Sequence, residues 1–392
     1  MTSTLRVAII GHAFMGRAHA HAWRTAPRFF DLPARPELAV VVGRSAERAE
    51  SAAHELGAAE WSDDWRAVIA RDDIDIVDVC APGDVHAEVS IAALAAGKHV
   101  LCEKPLARTL PEAERMAEAA RSAPAGTRAM CGFSYRRTPA LAYAKRLVAD
   151  GRLGTIRHVR AQYLQDWLTD ADAPLTWRLD KEIAGSGTLG DIGAHIIDTA
   201  QWLLDEPLEA VSAQLRTFVA ERPVLSEQRG LGGRAAADAE RGPVTVDDAV
   251  AFTASFASGA LGVFEATRFA LGHRNANRIE INGDRGSIAF DFERMNELEF
   301  YDAADADGEQ GFRRILVTEP THPYVDAWWP AGHGLGYEHL FTHQVVDLVT
   351  AIAEERDPSP SFDEALSVQR VLDAVERSAA ADAVLTQVGG GA

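Results

Sequence analysis

Residues 1–131 alternate short β-branched runs with Ala-rich amphipathic stretches, the grammar of a parallel sheet covered by helices. The runs Leu5–Ile10, Leu38–Val42, Ile74–Cys80, His99–Cys102 and Arg128–Cys131 predict strands. Between them, Ala18–Thr25, Ala46–Leu56, Trp65–Ala70, Val85–Ala96 and Leu110–Arg121 carry helical periodicity. Gly57 and Gly97 stand just past two of these stretches, where a helix end favours a residue that tolerates positive φ. The expectation is a doubly wound α/β domain over 1–131.

The grammar changes after Cys131. A helix over Pro139–Asp150 precedes a strand at Ile156–Tyr163, and a Gly-rich loop and helix follow at Gly185–Leu204. Strand-like runs then accumulate without helices between them: Leu208–Thr217, Ala249–Ser255, Ala260–Thr267, Arg278–Asn282, Ser287–Phe292 and Leu298–Tyr301. Gly turns separate several of them, which predicts an open, mainly antiparallel sheet. Glu221–Pro243 is rich in Gly, Arg and Ala with weak periodicity and reads as a long loop or lid. Helices return at Glu338–Glu354 and Phe362–Ala381. The second domain, also α/β, is placed at 132–392.

Composition narrows the classes. A net charge of −19 argues against nucleic acid as a partner, which needs a concentrated positive face. No apolar run approaches the roughly 20 residues of a membrane span, and Met1–Arg6 lacks the apolar region and cleavage site of a secretory signal. Cys80, Cys102 and Cys131 are odd in number and lack pair spacing, so buried free thiols in a cytosolic protein are expected.

The chemistry begins at the first strand. Leu5–Ile10 leads into Gly11-His12-Ala13-Phe14-Met15-Gly16 and then a helix, a dinucleotide fingerprint with Ala13 at its middle position. Gly11 permits the tight turn, and Gly16 lets helix pack close to strand, so a pyrophosphate meets the helix N-terminus. The bland alternative is a tight turn without ligand. At the end of the second strand stands Val42-Gly43-Arg44-Ser45, with no carboxylate for a ribose 2′-hydroxyl. Arg44 and Ser45 lean the cofactor from NAD toward NADP, by holding its 2′-phosphate, although Arg44 could stack on adenine or be solvated. Pro82 and His86 follow the third predicted strand and should border the nicotinamide half, unless His86 is a surface helix residue.

His99–Cys102 runs into Glu103-Lys104-Pro105, which places Lys104 at the carboxyl end of a Rossmann strand, where the nicotinamide ring lies, with Glu103 beside it. On the helix Asp191-Ile192-Gly193-Ala194-His195-Ile196-Ile197-Asp198, Asp191 and His195 are four apart and share a face, which Asp198 continues. A histidine is a natural base near neutral pH, and a lysine can stabilise developing alkoxide charge. By helix pattern alone, His195 could equally be a satisfied core histidine.

Taken together, the fingerprint, Glu-Lys-Pro and the Asp191–Asp198 helix resemble the glucose–fructose oxidoreductase and inositol dehydrogenase (Gfo/Idh/MocA) family over nearly the whole chain. Further stretches resemble members that oxidise an anhydrosugar: Gly16–His19, Ser134–Ala140, Tyr163–Trp167, Ala184–Gly187, Glu265–Arg268 and Gly336-Tyr337. The resemblance implies hydride transfer to NAD(P) from a sugar or polyol hydroxyl, at C3 of an anhydrosugar or pyranoside. It also implies the trio Lys104, Asp191 and His195, and a homo-oligomer, dimer or tetramer, built on the open sheet. Asp191 either orients His195 or binds a neighbouring substrate hydroxyl. Tyr135, Gln165, Tyr337, Trp167 and Arg178 are the candidate substrate contacts, in that order, because sugar sites combine aromatic faces with polar groups. Trp167 and Arg178 could instead be packing or a structural ion pair.

No metal is expected. His19 and His21 are two apart and do not share a helix face; His19 is placed beside the cofactor loop and His21 in solvent. Two other classes compete with the dehydrogenase: a glycoside-cleaving enzyme that oxidises and re-reduces its sugar with NAD, and a non-catalytic sensor.

Overall fold

Six short strands pair in parallel in the first part of the computed structural model, which describes residues 3–224, 227–229, 232–234 and 239–389. They are β1 (Ser3–Ile10), β2 (Ala34–Val42), β3 (Glu60–Ser62), β4 (Ile76–Val79), β5 (His99–Cys102) and β6 (Ala129–Cys131). Their order β3-β2-β1-β4-β5-β6 reverses direction between β1 and β4, and ligands of such sheets bind beyond the strand ends at that switch. Val7–Ile9 and Ile76–Val77 are fully buried, because parallel strands are covered on both faces. The helices are α1 (Phe14–Phe29), α2 (Ala46–Leu56), α3 (Trp65–Ile69), α4 (His86–Ala95) and α5 (Leu110–Arg121). Gly57 and Gly97 take φ of +74° and +72°, as their positions require. The first helix is longer than its periodicity predicts at both ends. Gly16 lies within its first turn and Pro27 near its last.

The second part is built on one nine-stranded sheet. After α6 (Pro139–Ala149) come β7 (Ile156–Leu164), the one-turn α7 (Lys181–Ala184), a π-helical turn at Leu189–Gly193 and α8 (Ala194–Leu204). Next come β8 (Leu208–Arg216), β9 (Glu221–Pro223), β10 (Glu227–Arg229), β11 (Gly232–Arg234) and β12 (Arg241–Pro243). The chain continues with β13 (Ala249–Phe256), β14 (Leu261–Thr267), β15 (Ala276–Gly283), β16 (Gly286–Asp291), β17 (Glu297–Asp302) and β18 (Arg313–Leu316). After the last helices, α9 (Tyr337–Ala353) and α10 (Phe362–Ala380), a short β19 (Thr386–Gln387) pairs with β8. The large sheet runs β18-β17-β16-β15-β7-β14-β13-β8-β19, and only the β7–β14 pair is parallel. Burial alternates along β13 and β14: Phe252, Phe264 and Ala266 face the core, while Leu261 and Val263 face outward and are exposed. Helices α6 and α8 pack on each other, and α8 covers β7 and β15.

Glu221–Pro243, expected as a long loop, carries strands. β9 pairs with β12 and β10 with β11; residues 225–226, 230–231 and 235–238 lie outside the described residues. Its base is anchored by Arg222, fully buried, which donates to the carbonyls of Leu168, Asp170 and Ala173. A guanidinium with three backbone acceptors organises this stretch where apolar periodicity is weak.

Contacts divide the chain into two compact units: Met1–Ser134 with Gly336–Leu366, and Tyr135–Leu335 with Ser367–Ala392. The segment 336–366, assigned by sequence to the second domain, thus belongs with the first. Phe341, Val345, Leu348 and Val349 of α9 join Ala20, Trp23 and Ala26 of α1 in one apolar cluster. Helical periodicity shows that α9 has an apolar face; it does not show which partner that face covers. Among the described residues no helix is long and apolar enough to cross a membrane.

Candidate active site

In the first unit the fingerprint forms a turn with no spare volume. Gly11 has φ +98°, and a Cβ there would lie 2.7 Å from the Ala81 nitrogen; one on Gly16 would lie 2.1 Å from the Gly11 carbonyl oxygen. Ala13 is the N-cap of α1, exposed and without a side-chain cap, and no acidic residue occupies the first turn. Phe14, exposed, and Met15, half-buried, carry the next backbone N–H groups. An uncapped helix start beside a switch point suits a pyrophosphate, so these residues fit a dinucleotide. Arg44 and Ser45 are both exposed beyond β2, and the Ser45 hydroxyl does not cap α2. Tyr337, a substrate candidate from the sequence, lies in this unit, stacked on Phe14 at 6.2 Å and packed edge-on against Phe341.

Lys104 follows β5 and is half-buried, between the buried Glu103 and Pro105, and its bond to Pro105 is cis. Behind it lies a polar cluster. His19 Nδ1 is 2.9 Å from Asp78 Oδ1, and its Nε2 is 3.0 Å from Glu103 Oε1. Trp23 Nε1 and Cys80 Sγ donate to the same Asp78. Burial alone would depress the His19 pKa, yet the Asp78 carboxylate beside it raises it well above the ordinary value. Burial and the Asp78 charge push the Cys80 thiol far up, so it is an inert neutral donor. His19, Asp78 and Cys80 bring potential ligand atoms within 4.8 Å of one another, and the hydrogen bonds just described link them.

The sequence allowed His86 to be a surface residue. It is buried instead, with Pro82 half-buried beside it. Its Nε2 lies 2.9 Å from the Ala81 carbonyl and its Nδ1 3.1 Å from that of Pro105. Burial lowers its pKa, but the Cys102 sulfur and the Ala81 carbonyl outweigh that and raise it to about 9.

The second unit holds the other candidates. The helix expected through Asp191 and His195 is interrupted: Asp191 sits in the π-helical turn, and regular α-helix begins only at Ala194. Gly187, Gly190 and Gly193 weaken helical propensity there. The turn is held by Asp247, whose carboxylate accepts the Gly187 and Leu189 N–H groups at 2.7 and 2.8 Å. His195 is buried, and Tyr135 stacks on it at 4.3 Å with 21° between the rings. From Tyr135 a polar chain runs along the sheet. Its hydroxyl is 2.7 Å from that of Tyr163, which donates to Asn275 Oδ1 at 2.6 Å. Gln165 donates to the same Asn275 oxygen and accepts from Trp167 Nε1. Trp167 is 40% exposed and so lies outside the core.

Asp198, which continues the helix face, is paired with Arg136 through two hydrogen bonds of 2.9 and 2.6 Å. Arg268, fully buried, donates to Thr188 Oγ1 at 3.0 Å, lies 3.5 Å from Asp191 Oδ2 and sits over the Trp167 ring. Arg178 rests over the Trp177 ring at 4.4 Å. Burial pulls its pKa down, while Asp191 opposes that and Arg268 reinforces it. Two arginines therefore bear on Asp191. Sequence reasoning assigned no role to Arg268, Tyr163, Asn275 or Asp78. The readable signal for Asp78 was a carboxylate inside a buried strand, which demands a partner.

Comparison with known proteins matches both halves. Residues 5–131 match the oxidoreductase family with an NAD-binding Rossmann fold, and 141–289 the GFO/IDH/MocA C-terminal domain. The chain is 43% identical over 379 residues to levoglucosan dehydrogenase of Pseudarthrobacter phenanthrenivorans, covering 96% of each protein. It superposes on an oxidoreductase domain protein from Kribbella flavida with a TM-score of 0.94 and 60% identity, over 99% of this chain and 100% of that one. For levoglucosan dehydrogenase in complex with NADH and levoglucosan, the TM-score is 0.92 and the identity 42%, again over 99% and 100%. With both halves matched and 43% identity over 96% of each protein, the chain belongs to the Gfo/Idh/MocA family of NAD-binding oxidoreductases.

Proposed function

We propose that this protein is a dehydrogenase that oxidises a secondary hydroxyl, at C3, of an anhydrosugar or related pyranoside. The observation that carries this reading is the buried imidazole of His195 beneath the Tyr135 ring, at the head of a chain of hydroxyl and amide groups. That set recognises a polyhydroxylated ring: aromatic faces pack on C–H surfaces, and the amides and hydroxyls exchange hydrogen bonds with hydroxyls. A nicotinamide cofactor, when bound, supplies the hydride acceptor.

The remaining work falls to side chains. His195 takes the hydroxyl proton as general base. Lys104 donates to the same oxygen and stabilises its developing negative charge. Asp191, with Arg268 and Arg178 bearing on it, holds a neighbouring hydroxyl or orients His195. Tyr135, Gln165, Trp167, Arg178 and Tyr337 are the proposed sugar contacts, and Gly11–Gly16, Pro82 and Glu103 line the cofactor.

NADH is present in the levoglucosan dehydrogenase complex, and we take NAD as the working cofactor here. Exposed Arg44 and Ser45 add a means of accepting NADP. Arg44→Ala should therefore weaken NADP binding and leave NAD binding unchanged in fluorescence titrations. An equal loss for both would assign Arg44 to adenine stacking.

The test of function is a panel of anhydrosugars, free hexoses, inositols and glycosides with each cofactor, read by absorbance of the reduced nicotinamide. Net accumulation with an anhydrosugar or pyranoside is expected. Glycoside cleavage without accumulation would replace the reading with an internal redox cycle, and saturable sugar binding without either would make the protein a sensor.

A further inference from the structure

Lys104 is flanked by two buried histidines, and each meets acceptors at both of its ring nitrogens. His86 lies between two backbone carbonyls, Ala81 at 2.9 Å and Pro105 at 3.1 Å. A carbonyl only accepts, so both contacts are hydrogen bonds only when both ring nitrogens carry a proton. A neutral ring would turn one lone pair onto a carbonyl oxygen in a buried site, at a substantial cost.

His19 lies between two carboxyl groups, Asp78 and Glu103. Trp23 Nε1 and Cys80 Sγ already donate to Asp78, and the backbone N–H of Lys104 donates to Glu103 Oε2 at 3.3 Å. Again a doubly protonated ring satisfies every contact, as an imidazolium between two carboxylates. Gly132 makes the arrangement possible, since a Cβ there would lie 2.6 Å from Glu103 Oε1.

We propose that His19 and His86 are positioning residues that clamp the chain on either side of Lys104, each as an imidazolium: His19 through the Glu103 side chain, His86 through the Pro105 carbonyl. The inference rests on the role given to Lys104 under the proposed function. A mobile four-carbon lysine stem gains precision from its backbone, and an error of about 1 Å in a reacting group can cost 100-fold in rate.

The groups facing His19 are Asp78, Cys80 and Glu103, with Phe341; those facing His86 are Cys102 and Glu103 with the two carbonyls. Both rings have raised pKa values in the folded protein. Their contribution to stability is therefore complete below the ordinary histidine value of about 6.5. The His86 part is lost as pH rises through about 9.

Neutron diffraction from perdeuterated wild-type crystals at neutral pD reads the clamp directly. Deuterons on both nitrogens of His19 and of His86 are expected. A singly deuterated His86 ring, or a singly deuterated His19 ring facing a deuterated Glu103 carboxyl, overturns the proposal. Kinetics supply the second arm. In folded His19→Gln and His86→Gln proteins, kcat should fall roughly tenfold or more while the NAD dissociation constant stays unchanged. Wild-type kcat in either folded variant also overturns it, as does a parallel loss of cofactor binding, the mark of general structural damage. If a variant does not fold, the diffraction result decides. Full turnover in Lys104→Ala would remove the role of Lys104 while leaving the protonation of the two rings as found, so the two failures are separable.

Discussion

Replacing His195 by alanine is expected to lower kcat by about 100-fold or more, the scale of a positioned general base. NAD binding should be unchanged in fluorescence titration, because His195 belongs to the second unit and the fingerprint to the first. Lys104→Ala should cost about as much, since removing one donor to a developing oxyanion typically costs 100- to 1,000-fold. The two effects should not add in the double variant, because groups that act on one bond as a unit lose most of their value when either goes. His195→Ala also removes the ring on which Tyr135 stacks at 4.3 Å. His195→Gln therefore belongs in the same series: it retains bulk and hydrogen bonding but cannot serve as a base near neutral pH. Near-wild-type turnover in His195→Gln would end the assignment of His195 as the base, and near-wild-type turnover in Lys104→Ala would end that of Lys104.

What could be read from the chain before its structure follows a physical division. The Rossmann half, apart from the exposed three-residue β3, was legible because its signals are local: short strands, a glycine pair five apart, and a Glu-Lys-Pro turn directly after β5. The parallel β7–β14 pair was not legible, because about 100 residues of helix and hairpin separate its strands and no periodicity records a partner. The same distance hid Asn275. It meets Tyr163 and Gln165 only because β15 pairs with β7. Asp78 and His19 lay in plain view, one as a carboxylate in an apolar strand, the other one turn beyond the fingerprint. Joining them required knowing that His19 of α1 reaches the Asp78 carboxylate of β4. The π-helical turn escaped for another reason: Gly185–Leu204 reads as a Gly-rich loop followed by a helix, while the turn's shape depends on distant partners such as Asp247, 60 residues from Gly187.

That turn yields the second large expected effect, from a single methyl group. Gly187 has ordinary backbone geometry, yet a Cβ on it would lie 1.9 Å from the Asp247 carbonyl oxygen and 2.9 Å from Arg268 Nη2. The close approach exists because Thr188 N–H donates to that carbonyl at 3.0 Å, while the Asp247 carboxylate takes the N–H groups on either side. The Gly187 carbonyl in turn receives the Asp191 N–H at 3.0 Å. Gly187→Ala must push this turn off β13's approach, loosening three hydrogen bonds and moving Asp191 away from Arg268. Overpacking of this kind costs about 1–3 kcal/mol before lost hydrogen bonds are counted, so a total near 3 kcal/mol is expected from the denaturation midpoint. In the fraction that remains folded, kcat should fall by about 100-fold with NAD affinity intact, because the displaced groups include Asp191 and the start of the His195 helix. Gly311 has no atom within 4 Å of its would-be Cβ, and Gly311→Ala should leave both quantities within about 0.5 kcal/mol of wild type. A Gly187→Ala protein as stable and active as the Gly311→Ala control would show that the turn's contact with Asp247 does not set the position of Asp191.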